Sequence, residues 1–145
     1  MKKVTVRVPL RADLAGGNLD LWPLYLFHPG SRTVNVAIAH HAECEITSKA
    51  DAAIELVLRD PNHRNQYESI AELNRDPKAA LIARAVEHFK ATGIRISTRT
   101  DAPRGSGLGG SSALAVALVR ALAEYVEQPL DGDPLIELVR DLETR

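Results

Sequence analysis

Val4, Val6 and Val8 alternate with Lys3, Thr5 and Arg7. That period of two marks a strand with one buried face, and Pro9 is expected to close it. Arg11 to Leu21 follows with Gly16-Gly17-Asn18 and the aspartates Asp13 and Asp20, and reads as a turn or short loop. Alternation resumes at Val34, Val36 and Ile38, and Cys44 to Ile46 and Ile54 to Leu58 add further β-type runs, which together predict an antiparallel meander. Residues 59–75 are polar, with Pro61, Asn62 and Asn65, and read as a long connection.

The period then changes. Asp76-Pro77 supplies a helix cap and a first-turn proline, and Leu81, Ile82, Ala85, Val86 and Phe89 recur at helical spacing until Gly93. Ile94 and Ile96 make another strand, leading through Thr100-Asp101-Ala102-Pro103 into a glycine-rich segment. A second helix is predicted from Ser112 to about Glu127, with Leu114, Ala117, Leu118, Ala121, Leu122 and Tyr125 on one stripe and alanines permitting close packing. Asp133-Pro134 caps a third, whose apolar set Leu135, Leu138, Val139 and Leu142 runs to Arg145 without a terminating glycine, so the chain is expected to stop within an element. Strands early and helices late predict an α+β fold, an open sheet covered by helices on one face, rather than repeated βαβ units.

Composition narrows the function classes. The 145 residues suit one domain, and 45% hydrophobic with 26% charged residues is the balance of a globular protein. A formal charge of −1 and a pI of about 6.5 give no global field for nucleic acid or anionic membrane. With 4% aromatics, they also disfavour an RNA-binding module. Cys44 is the single cysteine, so no internal disulfide exists. No apolar stretch approaches the roughly 18 residues of a membrane span, and a reducing, cytoplasmic setting fits. His40-His41 and Cys44 invite a metal reading, but adjacent strand residues point to opposite faces and cannot share one ion.

The chemistry concentrates in Pro103-Arg104-Gly105-Ser106-Gly107-Leu108-Gly109-Gly110-Ser111-Ser112-Ala113, between a strand and a long helix. Glycines allow close backbone approach and positive φ, and the free N–H groups and dipole of the following helix attract phosphate oxygens. Ser111 and Ser112 can cap the helix or reach a magnesium ion that bridges phosphates. A tight turn that merely caps the helix is the plainer alternative. Gly105-x-Gly107-x-x-Gly110 satisfies the dinucleotide pattern, but the preceding strand carries Arg95, Ser97 and Arg99 instead of a buried apolar run. Gly105-x-x-x-x-Gly110-Ser111-Ser112 has a P-loop frame, yet Ser111 stands where that loop requires lysine.

The longer string Pro103-x-x-x-Gly107-Leu108-Gly109-x-Ser111-Ser112-Ala113 resembles the second motif of the GHMP kinases, the galactokinase, homoserine kinase and mevalonate kinase type. Near the N-terminus, Pro9-Leu10-Arg11-Ala12-Asp13-Leu14-Ala15-Gly16-Gly17-Asn18-Leu19-Asp20-Leu21 resembles the family's first motif, most of all in its heptose-7-phosphate kinase and fucokinase branch. Gly110 departs mildly, since many members carry serine there, and Asp13 stands where an uncharged residue is more usual. The resemblance implies a fold like domain 2 of ribosomal protein S5, with residues 1–145 as an N-terminal, ATP-binding domain and a C-terminal domain absent from this chain. It also implies Mg2+ and ATP phosphates at Pro103, Gly105, Ser106, Gly107, Leu108, Gly109, Gly110, Ser111 and Ser112, with the metal on Ser111 and Ser112.

By the same resemblance, Asp20 falls on a sugar-binding aspartate, with Arg11, Asp13 and Asn18 beside it in a substrate site and Arg11 also catalytic. Trp22 lies close enough in sequence to line that site. Physically, a carboxylate beside a phosphate cradle can accept hydrogen bonds from vicinal hydroxyls, and a guanidinium can stabilise a transferring phosphoryl group. The expected partners are ATP and a small sugar or sugar phosphate, without nucleic acid or membrane; a homodimer is compatible. The family's catalytic aspartate and third motif are expected beyond Arg145, so the chain alone is expected to turn over little or nothing. A noncatalytic nucleotide- or sugar-sensing domain on the same scaffold is the competing reading.

Overall fold

The computed structural model describes residues 2–17, 23–58, 64–103 and 105–144. Five strands, β1 (Lys3–Ala15), β2 (Val34–Ser48), β3 (Ile54–Leu58), β4 (Arg64–Tyr67) and β5 (Ile94–Thr100), form one sheet in the order β1-β2-β5-β3-β4. The helices are α1 (Leu24–Phe27), α2 (Ile70–Leu73), α3 (Ala80–Phe89), α4 (Gly110–Tyr125) and α5 (Gly132–Thr144). Three strand pairings are antiparallel and one, β3 with β5, is parallel. The α+β class with a mostly antiparallel sheet is therefore observed, but the meander is not. β5 inserts between β2 and β3, and lying parallel to β3 requires a crossover, which runs through β4, α2 and α3.

Pro9 does not end the first strand. It pairs with His41, and β1 continues through Arg11, Ala12 and Asp13 to Ala15, turning half of the expected loop into strand. β1 is an edge strand, where a residue without an N–H is tolerated. The register shifts from Pro9↔His41 to Arg11↔Ala37, so the two predicted runs of β2 are one strand with two extra residues. The connection predicted over 59–75 contains β4 and α2. The Ser69 hydroxyl accepts the Glu72 N–H at 3.2 Å, and the Glu72 carboxylate accepts the Glu68 N–H at 2.8 Å. A 3₁₀ turn, Pro77–Ala79, precedes α3, and α3 ends at Lys90 in a left-handed conformation (φ 51°), before the expected Gly93.

The sheet has one covered and one open face. Ala42, Cys44 and Ile46 of β2 and Ile94 and Ile96 of β5 are fully buried under the helices, and burial pushes the Cys44 thiol up to about 12. α4 lies on β1 and β2 with α3 and α5 beside it, burying Ala113, Ala115, Ala117, Leu118, Ala121, Leu122 and Ala123. The small side chains let its backbone approach the sheet closely. The open face carries ion pairs: Lys3 with Glu45 at 2.8 Å, and Arg7 and Arg99 with Glu43 at 3.4 and 3.5 Å. Glu55, 1% exposed, receives Arg64, Arg95 at 2.9 Å and Lys49 at 3.5 Å. Burial raises its carboxyl, but the hydrogen bonds and charges of Arg95 and Arg64 outweigh that and hold it below its ordinary value. Among the described residues, no helix is long and apolar enough to cross a membrane.

Candidate functional site

The end of β5 is anchored to β2 before the glycine-rich loop begins. The Asp101 carboxylate accepts the His41 N–H at 3.0 Å, and the Asp101 N–H donates to the His41 carbonyl at 2.9 Å. The Thr100 hydroxyl accepts the Ala102 N–H at 3.2 Å and turns the chain outward. The Ser106 N–H then donates to the Pro103 carbonyl at 3.2 Å. Gly105, Gly107 and Gly109 have φ of 73°, 70° and 67°, so every second residue takes the left-handed conformation that a side chain resists. At Gly105 and Gly107 a Cβ would meet nothing within 4 Å, so backbone conformation rather than space calls for glycine there.

Gly109 is the residue that caps α4, and its lack of a side chain leaves the helix start without a side-chain cap. Ser111 and Ser112 were expected as caps; they lie instead inside the first turn, exposed beside the loop. The first N–H groups of an α-helix have no partner within it, so this helix start presents donors to whatever lies in front of it. Gly110 packs tightly, since a Cβ there would sit 3.0 Å from the Ala102 Cβ and that neighbour would have to give by a few tenths of an ångström. Leu108 turns inward to a small cluster with Leu10, Ala42, Ala102 and Ala113, which pins the middle of the loop to the sheet.

A cleft of about 620 Å³ opens along this loop. One wall is Pro103 and Gly105 through Ser112; the other comes from Leu58, Lys78, Ala79, Leu81 and Ile82, with Leu118 and Thr98 also lining it. Sequence reasoning assigned the first wall and missed the second. Leu81 and Ile82 occupy apolar helical positions, which in a sequence look like any core residue. Glu143 was also missed. It reaches the N-terminus of α4 from the last turn of α5 and accepts a hydrogen bond from the Ser112 hydroxyl; burial raises its carboxyl, and that hydrogen bond only partly offsets the rise.

Of the predicted substrate-site residues, Arg11 is brought to the loop and Asp13 is paired with it. The Arg11 N–H donates to the Leu108 carbonyl at 3.4 Å, and its side chain passes alongside Gly109. The Arg11 Nε stands 3.2 Å from Asp13 Oδ1. Gly17 closes over that carboxylate, since a Cβ there would lie 2.9 Å from the Asp13 Cβ. Asn18, Asp20, Trp22 and Arg104 lie outside the described residues. Cys44 is buried in the core, remote in role from this cleft.

Comparison with known proteins agrees with the geometry. Residues 79–145 match the GHMP kinases N terminal domain. The chain is 33% identical over 149 residues to a D-glycero-alpha-D-manno-heptose 7-phosphate kinase of Campylobacter jejuni, covering 99% of this chain and 44% of that protein. It is 31% identical over 156 residues to a bifunctional fucokinase/GDP-fucose pyrophosphorylase of Arabidopsis thaliana, covering 98% and 15%. The crystal structure of a D-glycero-D-manno-heptose 1-phosphate kinase from Bacteriodes thetaiotaomicron superposes with a TM-score of 0.84 at 31% identity, over 97% of this chain and 48% of that one. The chain spans less than half the length of the curated relatives it matches. The match to the family's N-terminal domain, the sugar-kinase relatives and the superposing kinase structure place the chain in the GHMP kinase family, through its N-terminal domain.

Proposed function

We propose that the chain is the nucleotide-binding part of a sugar kinase that moves the γ-phosphoryl group of Mg-ATP to a hydroxyl of a sugar or sugar phosphate. The carrying observation is the loop itself: three left-handed glycines at alternate positions, at the start of a 16-residue helix, along a cleft of about 620 Å³. Backbone N–H groups of such a loop and the helix dipole suit a polyphosphate. The apolar wall of Leu58, Leu81 and Ile82 suits the flat base. The heptose 7-phosphate kinase and fucokinase relatives favour a heptose phosphate or a fucose-like acceptor.

In this reading Pro103, Gly105, Ser106, Gly107, Leu108, Gly109 and Gly110 shape the phosphate cradle. The Ser112 hydroxyl and the Glu143 carboxylate, which meet at the start of α4, together with the neighbouring Ser111 hydroxyl would supply hard oxygens of the kind magnesium takes, usually one or two carboxylates together with substrate phosphates. When bound, the ion neutralises charge on the phosphates. Arg11, held beside Gly109, stabilises charge on the transferring group or orients the acceptor. Asp13, Asn18 and Asp20 accept hydrogen bonds from acceptor hydroxyls. The acceptor oxygen forms a bond to the γ-phosphorus, the bond to the β–γ bridging oxygen breaks, ADP leaves, and the hydroxyl proton is released.

Two measurements test this. Calorimetric titration of the chain with Mg-ATP is expected to give saturable one-site binding; a flat titration removes the reading. In a polypeptide that carries both halves of the relatives' length, ADP release is expected with a heptose phosphate or fucose and not with mevalonate or homoserine. Asp20→Ala there is expected to abolish sugar turnover with ATP affinity retained.

A further inference from the structure

A P-loop carries its phosphate-binding lysine inside the loop, and here that position is Ser111. An Mg-ATP complex keeps a net negative charge, so main-chain donors alone leave it under-compensated in a partly desolvated cleft. Among the described residues that line the cleft, Lys78 is the one with a charged side chain. It lines the same cleft as the glycine loop, from the 3₁₀ turn that leads into α3.

The position is built rather than incidental. The Asp76 carboxylate accepts the Lys78 N–H at 2.9 Å through one oxygen and the Tyr67 hydroxyl at 2.5 Å through the other. Those two hydrogen bonds, Tyr67 first and Lys78 second, hold the Asp76 carboxyl below its ordinary value. Tyr67 is itself 7% exposed, so the turn is tied to the core. Among the described residues the Lys78 ammonium makes no salt bridge, unlike Lys2, Lys3 and Lys49.

We propose that Lys78 is a nucleotide-binding residue whose ammonium contacts the phosphate tail from a cleft-lining turn outside the glycine loop, supplying the cation that a P-loop holds within its own sequence. The proposal rests on the nucleotide-binding reading above. An ammonium is a compact point charge on a flexible stem, so it can reach an anion across an open cleft without the fixed fork geometry of arginine.

The test is calorimetric titration of the intact chain and its Lys78→Met and Lys78→Arg variants with Mg-ATP, and with adenosine as a ligand that lacks the tail. Lys78→Met is expected to weaken Mg-ATP about tenfold or more, the scale of one charge-assisted hydrogen bond, with adenosine affinity unchanged. Lys78→Arg is expected to restore most of the loss, and the Mg-ATP affinity of Lys78→Met to depend less on salt than that of the unaltered chain. Unaltered Mg-ATP binding in Lys78→Met, or equal losses for Mg-ATP and adenosine, overturns the proposal and leaves the nucleotide reading standing. An unaltered chain that binds no Mg-ATP removes both.

Discussion

The side chain of Arg11 runs alongside Gly109, its Cγ 3.5 Å and its Nε 3.8 Å from where a Cβ on that glycine would stand. Together with the bond from the Arg11 N–H to the Leu108 carbonyl, this ties the edge strand β1 to the residue that caps α4. The two sequence motifs, about a hundred residues apart, thus meet at one point. The contact holds the edge strand and the helix start together at the middle of the glycine loop.

Gly109→Ala tests the backbone at this junction. A methyl group at 3.5 Å from Arg11 is ordinary contact, so the expected penalty comes from φ of 67° and amounts to about 1–2 kcal/mol. It is to be read from urea midpoints and from Mg-ATP affinity. Full stability with normal affinity would mean that the loop can take another conformation and still bind.

Arg11→Lys separates charge from geometry. Lysine keeps the charge and loses the planar fork held by Asp13. Phosphoryl transfer by a polypeptide with both halves is expected to fall about 10²-fold, the usual loss when one such donor is removed, with Mg-ATP affinity nearly unchanged. A loss confined to ATP affinity would make Arg11 a binding residue only.

Periodicity made the elements legible and left their order obscure. β1, β2, β3 and β5 each alternate in the same way, so nothing local says that β5 enters between β2 and β3. Arg64 to Tyr67 has no apolar alternation and is a strand because the edge of β3 pairs with it. Ser69-x-x-Glu72 is a helix-start signature that was present and unused. The glycine loop was readable because its chemistry is contiguous. Lys78 and Glu143 were not, since Lys78 lines the cleft and Glu143 meets Ser112 from separate helical segments, and each looks like an ordinary polar helix position in the sequence.

Glu55 gives a pH-dependent test of the open face. Its carboxyl is held below the ordinary 4.5, so the stabilisation it provides is complete above that value and is lost as pH falls through the lower folded value. Glu55→Gln keeps the shape and removes the charge, at an expected cost of about 1–2 kcal/mol at pH 7. The figure is low because Arg64 and Arg95 are 62% and 46% exposed and can turn to water. Urea midpoints of the two proteins are expected to differ at pH 7 and to draw together as the pH falls below 4.5 and through the lowered folded value. A gap that stays constant with pH would assign the effect to packing.

Glu143→Gln bears on the metal. The amide retains an oxygen for the Ser112 hydroxyl but lacks the charge that a hard cation favours. The factor by which magnesium improves ATP affinity is expected to fall about tenfold, with affinity for metal-free ATP unchanged. Because burial raises the Glu143 carboxyl above its ordinary 4.5, the magnesium effect in the unaltered chain is also expected to fade at a higher pH than an exposed glutamate would give. Titrations with and without magnesium at several pH values decide it. An identical magnesium effect in both proteins would leave Glu143 as a brace that only holds α5 against the start of α4.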